Sequence, residues 1–253
     1  MSSDNGLLRG KRVVVLGASR GVGREIVQHA SAEGAQVLAV ARQARGLAEL
    51  AKETPDVDTL ALDASSEPAP RKVFRTTKPD LLVICGGATP PGRPLHELTW
   101  EEFGVNWEVD AKMAFLFCRE ALRSPLAPGS VVVIISSGAG LGGSPISGGY
   151  AGAKRMQMFI AKYCQAASDR LELGIRFVAL VPSRVMPETG LGQAAVNGYA
   201  RYLGVPPETF IENMGPRQSP ADVAHAVLEI AVKPPAESGS IFTISANGLA
   251  AAS

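Results

Sequence analysis

Seven short apolar runs punctuate the chain, at 11–17, 36–41, 57–62, 80–85, 130–135, 175–181 and 241–245. Most are unbroken rather than alternating and rich in Val and Ile, as in Val13-Val-Val-Leu16, Leu81-Leu-Val-Ile84 and Val131-Val-Val-Ile-Ile135. Runs of this kind read as strands buried on both faces. Helical periodicity fills much of the space between them, at 22–33, 100–122, 151–173 and 220–232. Alternation of strand and helix predicts an α/β fold, a parallel sheet with helices on both faces. Two segments break the pattern. Residues 88–98 carry Pro90, Pro91 and Pro94; the stretch from 182 to 220 has no strand character and carries Pro187, Pro206 and Pro207. Both follow strands, and ligands of open α/β sheets sit outside the carboxyl ends of the strands. Residues 183–219 are therefore expected to form a substrate-binding lid. With no repeat, low-complexity tract or linker, residues 1–253 are expected to form one domain.

Composition narrows the function classes. Of 253 residues, 46% are hydrophobic, enough for a sizeable core, and the net charge of +1 argues against a nucleic-acid footprint or an anionic membrane partner. No apolar stretch reaches transmembrane length, and the first twelve residues lack the apolar core of a signal peptide, so a cytoplasmic location is expected. Three widely spaced cysteines, Cys85, Cys118 and Cys164, make no disulfide framework. Without Cys-x-x-Cys or His-Glu-x-x-His, no metal site is expected, and His29, His96 and His225 read as structural or surface residues.

The candidate chemistry begins at Tyr150-Ala-Gly-Ala-Lys154, with Ser137 thirteen residues upstream. Residues four apart on a helix share a face. A phenol ordinarily keeps its proton to about pH 10, and a neighbouring ammonium lowers that value. A tyrosine tuned in this way exchanges a proton at working pH, and a serine hydroxyl holds the oxygen that reacts. Alone, such a spacing is more often a solvated pair on a helix surface. Its context is a second motif, the loop Gly17-Ala-Ser19-Arg20-Gly21-Val22-Gly23, between the first strand and the first helix. Glycines there permit a tight turn and close approach of a pyrophosphate, and the helix N-terminus supplies free N–H groups. The second strand ends in Arg42 rather than an acidic residue, and Arg20 lies in the glycine loop. An acid at that tip binds the ribose 2′-hydroxyl of NAD, whereas arginine accommodates a 2′-phosphate, so NADP(H) is expected.

With these residues the chain resembles the short-chain dehydrogenase/reductase family, nearly from end to end. The resemblance rests on the glycine loop, Leu62-Asp63, Ile135-Ser136-Ser137, Tyr150-Ala-Gly-Ala-Lys154 and Gly174-Ile-Arg-Phe-Val-Ala-Leu-Val-Pro182. It implies a Rossmann-type doubly wound sheet of about seven parallel strands and hydride transfer between a nicotinamide and the carbonyl or alcohol of a small-molecule substrate. It also implies a homodimer or homotetramer. By the same resemblance Tyr150 is the general acid/base, Ser137 holds the substrate oxygen, Lys154 binds the nicotinamide ribose and Asp63 meets the adenine. Gly86, Gly87, Pro182, Ser183 and Val185 are carried over as further cofactor contacts.

Three positions depart from the family pattern. Ile84-Cys85-Gly86-Gly87 stands for Asn-Asn-Ala-Gly. Asp110 stands for the asparagine that supports a proton-relay water, with its backbone carbonyl still available for that task and Asn106 one turn earlier. Pro182-Ser183 stands for Pro-Gly, with Thr189 as a displaced counterpart of the threonine that follows. The lid offers Arg184, Met186, Tyr199, Tyr202, Phe210 and Met214 to a mostly apolar pocket expected to take a medium or large substrate, and the glycines between Ser137 and Tyr150 leave that wall without bulk. The intact Ser137, Tyr150 and Lys154 favour an NADP(H)-dependent carbonyl reductase. The altered Asp110 and Cys85 leave open a redox-inactive NADP(H)-binding sensor or scaffold.

Overall fold

The computed structural model describes residues 6–215, 217–233, 239–245 and 248–252. Pro216 of the lid lies outside them. One sheet runs through the described chain, in the order β3-β2-β1-β4-β5-β6-β7-β8. Its strands are β1 (Arg12–Leu16), β2 (Gln36–Ala41), β3 (Asp58–Ala61), β4 (Leu81–Ile84), β5 (Val131–Ile135), β6 (Arg176–Pro182), β7 (Ile241–Ser245) and β8 (Gly248–Ala251). The first seven are parallel, as the continuous apolar runs require, and β8 folds back antiparallel on β7. Order reverses between β1 and β4, so the crevice of the doubly wound sheet opens where Leu16 stands beside Ile84.

The central strands explain their own composition. All residues of β4 and β5 are buried, with side chains feeding two cores, one per face. One face packs on α1 (Gly21–Ala32), α2 (Ala44–Glu53) and, further along the chain, α10 (Pro220–Val232). His29 and His225 meet edge to face at 4.6 Å where α1 crosses α10, a structural role. The other face packs on α3 (Ala69–Thr76), α5 (Lys112–Arg123) and α7 (Gly148–Arg170), around the fully buried Phe117 and Phe177. The edge strand β3 is mostly exposed, which is why its run is the least hydrophobic.

The periodicity at 100–122 predicts one helix; the chain forms two. α4 (Trp100–Asn106) is started by a capping box between Thr99 and Glu102, and a π-helical turn, Trp107–Ala111, separates it from α5. The region after β6 is helical rather than irregular. Following the short α6 (Ala139–Gly142) and α7 earlier in the chain, α8 (Gly190–Leu203) and α9 (Pro207–Asn213) build the lid. Thr189 caps α8, accepting from Gly192 N–H at 2.9 Å, and Gly204 ends it in the left-handed conformation. No helix among the described residues is long and apolar enough to cross a membrane.

The amino-terminal ends of β1 and β4, opposite the crevice, are pinned by charge. Asp80, just before β4, accepts from Arg12 N–H at 2.9 Å and from the Arg12 guanidinium at 3.1 Å. These bonds, chiefly the side-chain one, hold the Asp80 carboxyl below its ordinary value. A carboxylate with a lowered folded-state pKa contributes stability above its unfolded value and loses it as pH falls through the folded one. Asp80→Asn should therefore lower stability at neutral pH and flatten its decline below about pH 4. Urea denaturation from pH 7 to pH 2 measures both, and parallel curves for the two proteins would contradict the assignment.

Candidate active site

A cleft of about 450 Å³ opens at the carboxyl ends of β1, β4, β5 and β6. Its walls bring together Gly17, Gly21, Gly86, Asp110, Ser137, Tyr150, Lys154, Pro182 and, from the lid, Thr189 and Tyr199. Arg20, Val22, Gly23, Gly87, Ser183 and Val185 also line it. Ser19, Arg42 and Asp63, expected with them, are not part of this wall.

Tyr150 sits in the first turn of α7, and Lys154 follows one turn later with its amine 5.5 Å from the phenol ring centre. β5 fixes that turn. Ser136 Oγ donates to the Lys154 carbonyl at 2.8 Å, and Lys154 Nζ donates to the Ile135 carbonyl at 3.2 Å. Ser137, next along the chain, accepts from Ala139 N–H at 3.2 Å, which leaves its hydroxyl proton free to point at a ligand. The glycines before Tyr150 do more than thin the wall. A Cβ on Gly149 would fall 1.8 Å from the Phe103 carbonyl oxygen, and one on Gly140 would fall 2.9 Å from Arg155 N. They permit close packing of α7 on α4 and α6.

The lysine amine is buried, and burying an ammonium alone is costly. Its counterion is the equally buried Asp110, with Oδ2 3.2 Å from Nζ. Burial pushes the lysine pKa down, but Asp110 first, then Tyr150, push it up, and the result lies above the ordinary value. Asp110 is positioned from three sides. Its Oδ1 accepts from Ala88 N–H at 2.9 Å and from Asn106 Nδ2 at 3.3 Å, while Asn106 also donates to the Ala88 carbonyl at 2.7 Å. Asn106 therefore orients the carboxylate rather than replacing it. The Asp110 backbone carbonyl accepts from Gln157 Nε2 at 3.2 Å, so the task expected of it falls on an atom already engaged. Sequence reasoning missed Gln157; its one signal is the position one helical turn beyond Lys154 on the same face of α7.

The same carboxylate requires bare backbone at Gly87, where the chain keeps the glycine of the family pattern. A Cβ on Gly87 would lie 2.6 Å from Asp110 Oδ2, and one on Gly17 would lie 2.6 Å from the Gly86 backbone. Bare backbone there admits Asp110 from one side and the glycine loop from the other. Cys85 lines the cleft beside them, and burial pushes its thiol up to about 12, which disfavours the thiolate.

The glycine loop has the form of an anion cradle. Gly17 and Gly21 take positive φ, and a Cβ on Gly23 would sit 2.2 Å from the Gly17 carbonyl oxygen. The first turn of α1 carries neither an acidic residue nor a side-chain cap, so its N–H groups face the cleft unclaimed by a side chain. Thr189 of the lid stands opposite, 3.5 Å from where a Gly21 Cβ would be, and Arg20 reaches the head of α8 beside Gly190. This geometry fits a dinucleotide. Arg42 is exposed just past β2, and Asp63 faces it. The Asp63 carboxyl is held low first by the Ser65 hydroxyl and N–H, then by Arg42 and Lys112. The two arginines thus lie apart, Arg20 at the lid and Arg42 at the β2–β3 edge.

Comparison with known proteins agrees with this architecture. A family model described as short chain dehydrogenase matches residues 11–198. L-xylulose reductase of Bos taurus is 31% identical over 193 residues, 74% of this chain and 76% of that protein. D-erythrulose reductase of Gallus gallus is 29% identical over 132 residues, which span 51% of this chain and 53% of the reductase. A short-chain dehydrogenase/reductase from Brucella melitensis superposes with a TM-score of 0.79 at 20% identity, covering 94% of this chain and 96% of that one. A 3-ketoacyl-(acyl-carrier-protein) reductase of the same organism, complexed with NADH, gives 0.76 at 21% identity, covering 92% and 96%. At such identities the structural likeness is one of fold, while the family match covers most of the strands and helices that build the cleft. The chain belongs to the short-chain dehydrogenase/reductase family.

Proposed function

We propose that this protein is an NADP(H)-dependent oxidoreductase that interconverts a carbonyl and an alcohol, with Tyr150 as the general acid/base. The observation that carries the reading is the convergence of Ser137, Tyr150 and Lys154 on the cleft that the glycine loop opens. A nicotinamide cofactor, when bound, supplies or accepts the hydride. Gly17 to Gly23 and the N-terminus of α1 would hold its phosphates, with Gly86, Gly87, Pro182, Ser183 and Val185 along its path. Ser137 donates a hydrogen bond to the carbonyl oxygen and fixes it in place. Tyr150 gives that oxygen a proton in reduction and removes it in oxidation. Lys154, kept charged by Asp110, places a positive charge under the phenol and stabilises the phenolate left behind. The relatives named for L-xylulose and D-erythrulose reduction support a small carbonyl substrate.

Arg42 and the absence of an acid at the tip of β2 support NADP over NAD. Exposed aromatic side chains on and beside α5 and α7, Trp107, Phe115 and Tyr163, support a homo-oligomer formed through these helices.

Three outcomes test this reading. Tyr150→Phe should lower kcat/KM for carbonyl reduction by about 10²- to 10⁴-fold, the usual scale of a lost general acid, with cofactor affinity nearly unchanged. NADPH absorbance across a panel of ketones and aldehydes measures the first, and fluorescence titration the second. Tight cofactor binding with no turnover across that panel would favour the sensor. Arg42→Asp should reverse the preference for NADP over NAD in kcat/KM; an unchanged ratio would remove Arg42 from the phosphate site. Asp110→Asn takes away the charge that offsets the burial of Lys154, so the lysine should deprotonate more easily. The alkaline limb of the pH–rate profile should move to lower pH, and superimposable profiles would show that the ion pair plays no part in proton handling.

A further inference from the structure

Beside the cleft, α8 meets the chain after β4 at backbone contact. A Cβ on Gly198 of α8 would meet the Gly92 carbonyl oxygen and Ile146 Cδ1, each at 3.2 Å. The next residue, Tyr199, is held at both ends. Its hydroxyl donates to Ser144 Oγ at 2.7 Å, in the loop before α7, and its ring stacks on Phe210 of α9 with centroids 5.2 Å apart and planes 5° from parallel. Ser144 is fixed in turn, its N–H donating to Ser147 Oγ and its carbonyl accepting from the same hydroxyl, both at 2.9 Å. Swinging Tyr199 aside would break the stack and the hydrogen bond together, so it is a fixed stop and not a mobile flap.

The charges of the cleft are accounted for elsewhere. Its charged lining residues are Arg20, Asp110, Lys154 and Arg184. Arg20 lies at the head of α8 beside the glycine loop, and Asp110 and Lys154 neutralise each other. Arg184 is exposed and donates to the Met214 carbonyl at 3.4 Å. With Tyr150 and Tyr199, the cleft is lined by the apolar Pro90, Ile146, Ala194 and Ala195 and by the uncharged Thr89 and Ser147. A carboxylate or ammonium buried there would have no partner and would bind poorly. Apolar substituents gain by leaving water until they reach the stop.

Resting on the reductase reading above, we infer that the substrate is an uncharged, compact carbonyl compound whose non-reacting end is apolar and abuts Tyr199. Tyr199 then sets substrate length, with each methylene past the stop costing about tenfold or more in kcat/KM. The unbranched methyl ketones, and their ω-carboxylated analogues of equal length, test this in two ways. NADPH consumption reports turnover by the wild type. Nicotinamide fluorescence of NADPH-loaded Tyr150→Phe protein reports binding without turnover. Each protein is read relative to its own best ketone, after circular dichroism has checked folding. Both profiles should rise with chain length and then fall at least about tenfold past a cut-off, and the ω-carboxylates should bind at least about tenfold more weakly. Tyr199→Leu, and independently Ile146→Ala on the same wall, should move the cut-off to longer ketones. Tyr199→Phe, which keeps the ring, should leave it in place. A cut-off that stays put in both Tyr199→Leu and Ile146→Ala, or ω-carboxylates that bind as well as neutral ketones, would overturn the inference. Ketones that bind with the expected length profile but are not reduced would sink the reductase reading and leave this one standing.

Discussion

The site is organised around one demand, that of a lysine amine buried against a sheet. Lys154 has three donors and is almost wholly buried in the cleft wall, so protein groups must meet most of its charge. The Ile135 carbonyl at the end of β5 accepts one hydrogen bond from it, and the Asp110 carboxylate supplies the opposite charge. Each of these groups comes from a different element. The end of β5, the start of α7 and the turn between α4 and α5 must therefore come into register at one point. Tyr150 inherits its place from that register, because it lies one helical turn from the lysine.

Bringing Asp110 to the amine has structural consequences on both sides. The helix that carries it widens into a π turn, an irregularity that often marks functional sites, and Gln157 satisfies the carbonyl at the widened point. On the other side the chain leaving β4 has to be bare. Gly87 gives the carboxylate room, and Ala88 supplies an N–H to it. The chain at 87–88 and the residue at 110, which look independent in the sequence, are thus two halves of one contact. The short-chain dehydrogenase/reductase frame remains intact around them, since they alter the interior of the cleft and leave the strand order alone.

The lid follows the same logic of close approach. Gly192 and Gly198 let α8 lie on the Met186 and Gly92 backbones, and Thr189 caps the helix where it faces Gly21. A helix with small residues on its buried face seals the cleft more tightly than one with large side chains. The position of Tyr199 then becomes a property of the backbone contact as much as of the side chain.

How much of this was legible depended on where each signal resides. The seven parallel strands were legible because burial on both faces leaves a continuous run of Val and Ile, a property of the residues themselves. The glycine loop and the Ser137, Tyr150 and Lys154 spacing were legible because turn geometry and helix periodicity are local. β8 was not, since Gly-Leu-Ala-Ala has little strand preference and is extended only through its pairing with β7. α8 was not, because two of the four residues on its buried face, Gly192 and Gly198, are glycines, which disfavour a helix when read from sequence. Local chemistry and period alone were enough for the α/β frame, the glycine loop and the spacing of Ser137, Tyr150 and Lys154. Only the tertiary structure decided that Asp110 pairs with Lys154, that Gln157 takes the Asp110 carbonyl, and that Tyr199 closes the cleft on Ser144. Those contacts join residues 44, 47 and 55 positions apart, whose meeting is set by how the sheet and helices pack.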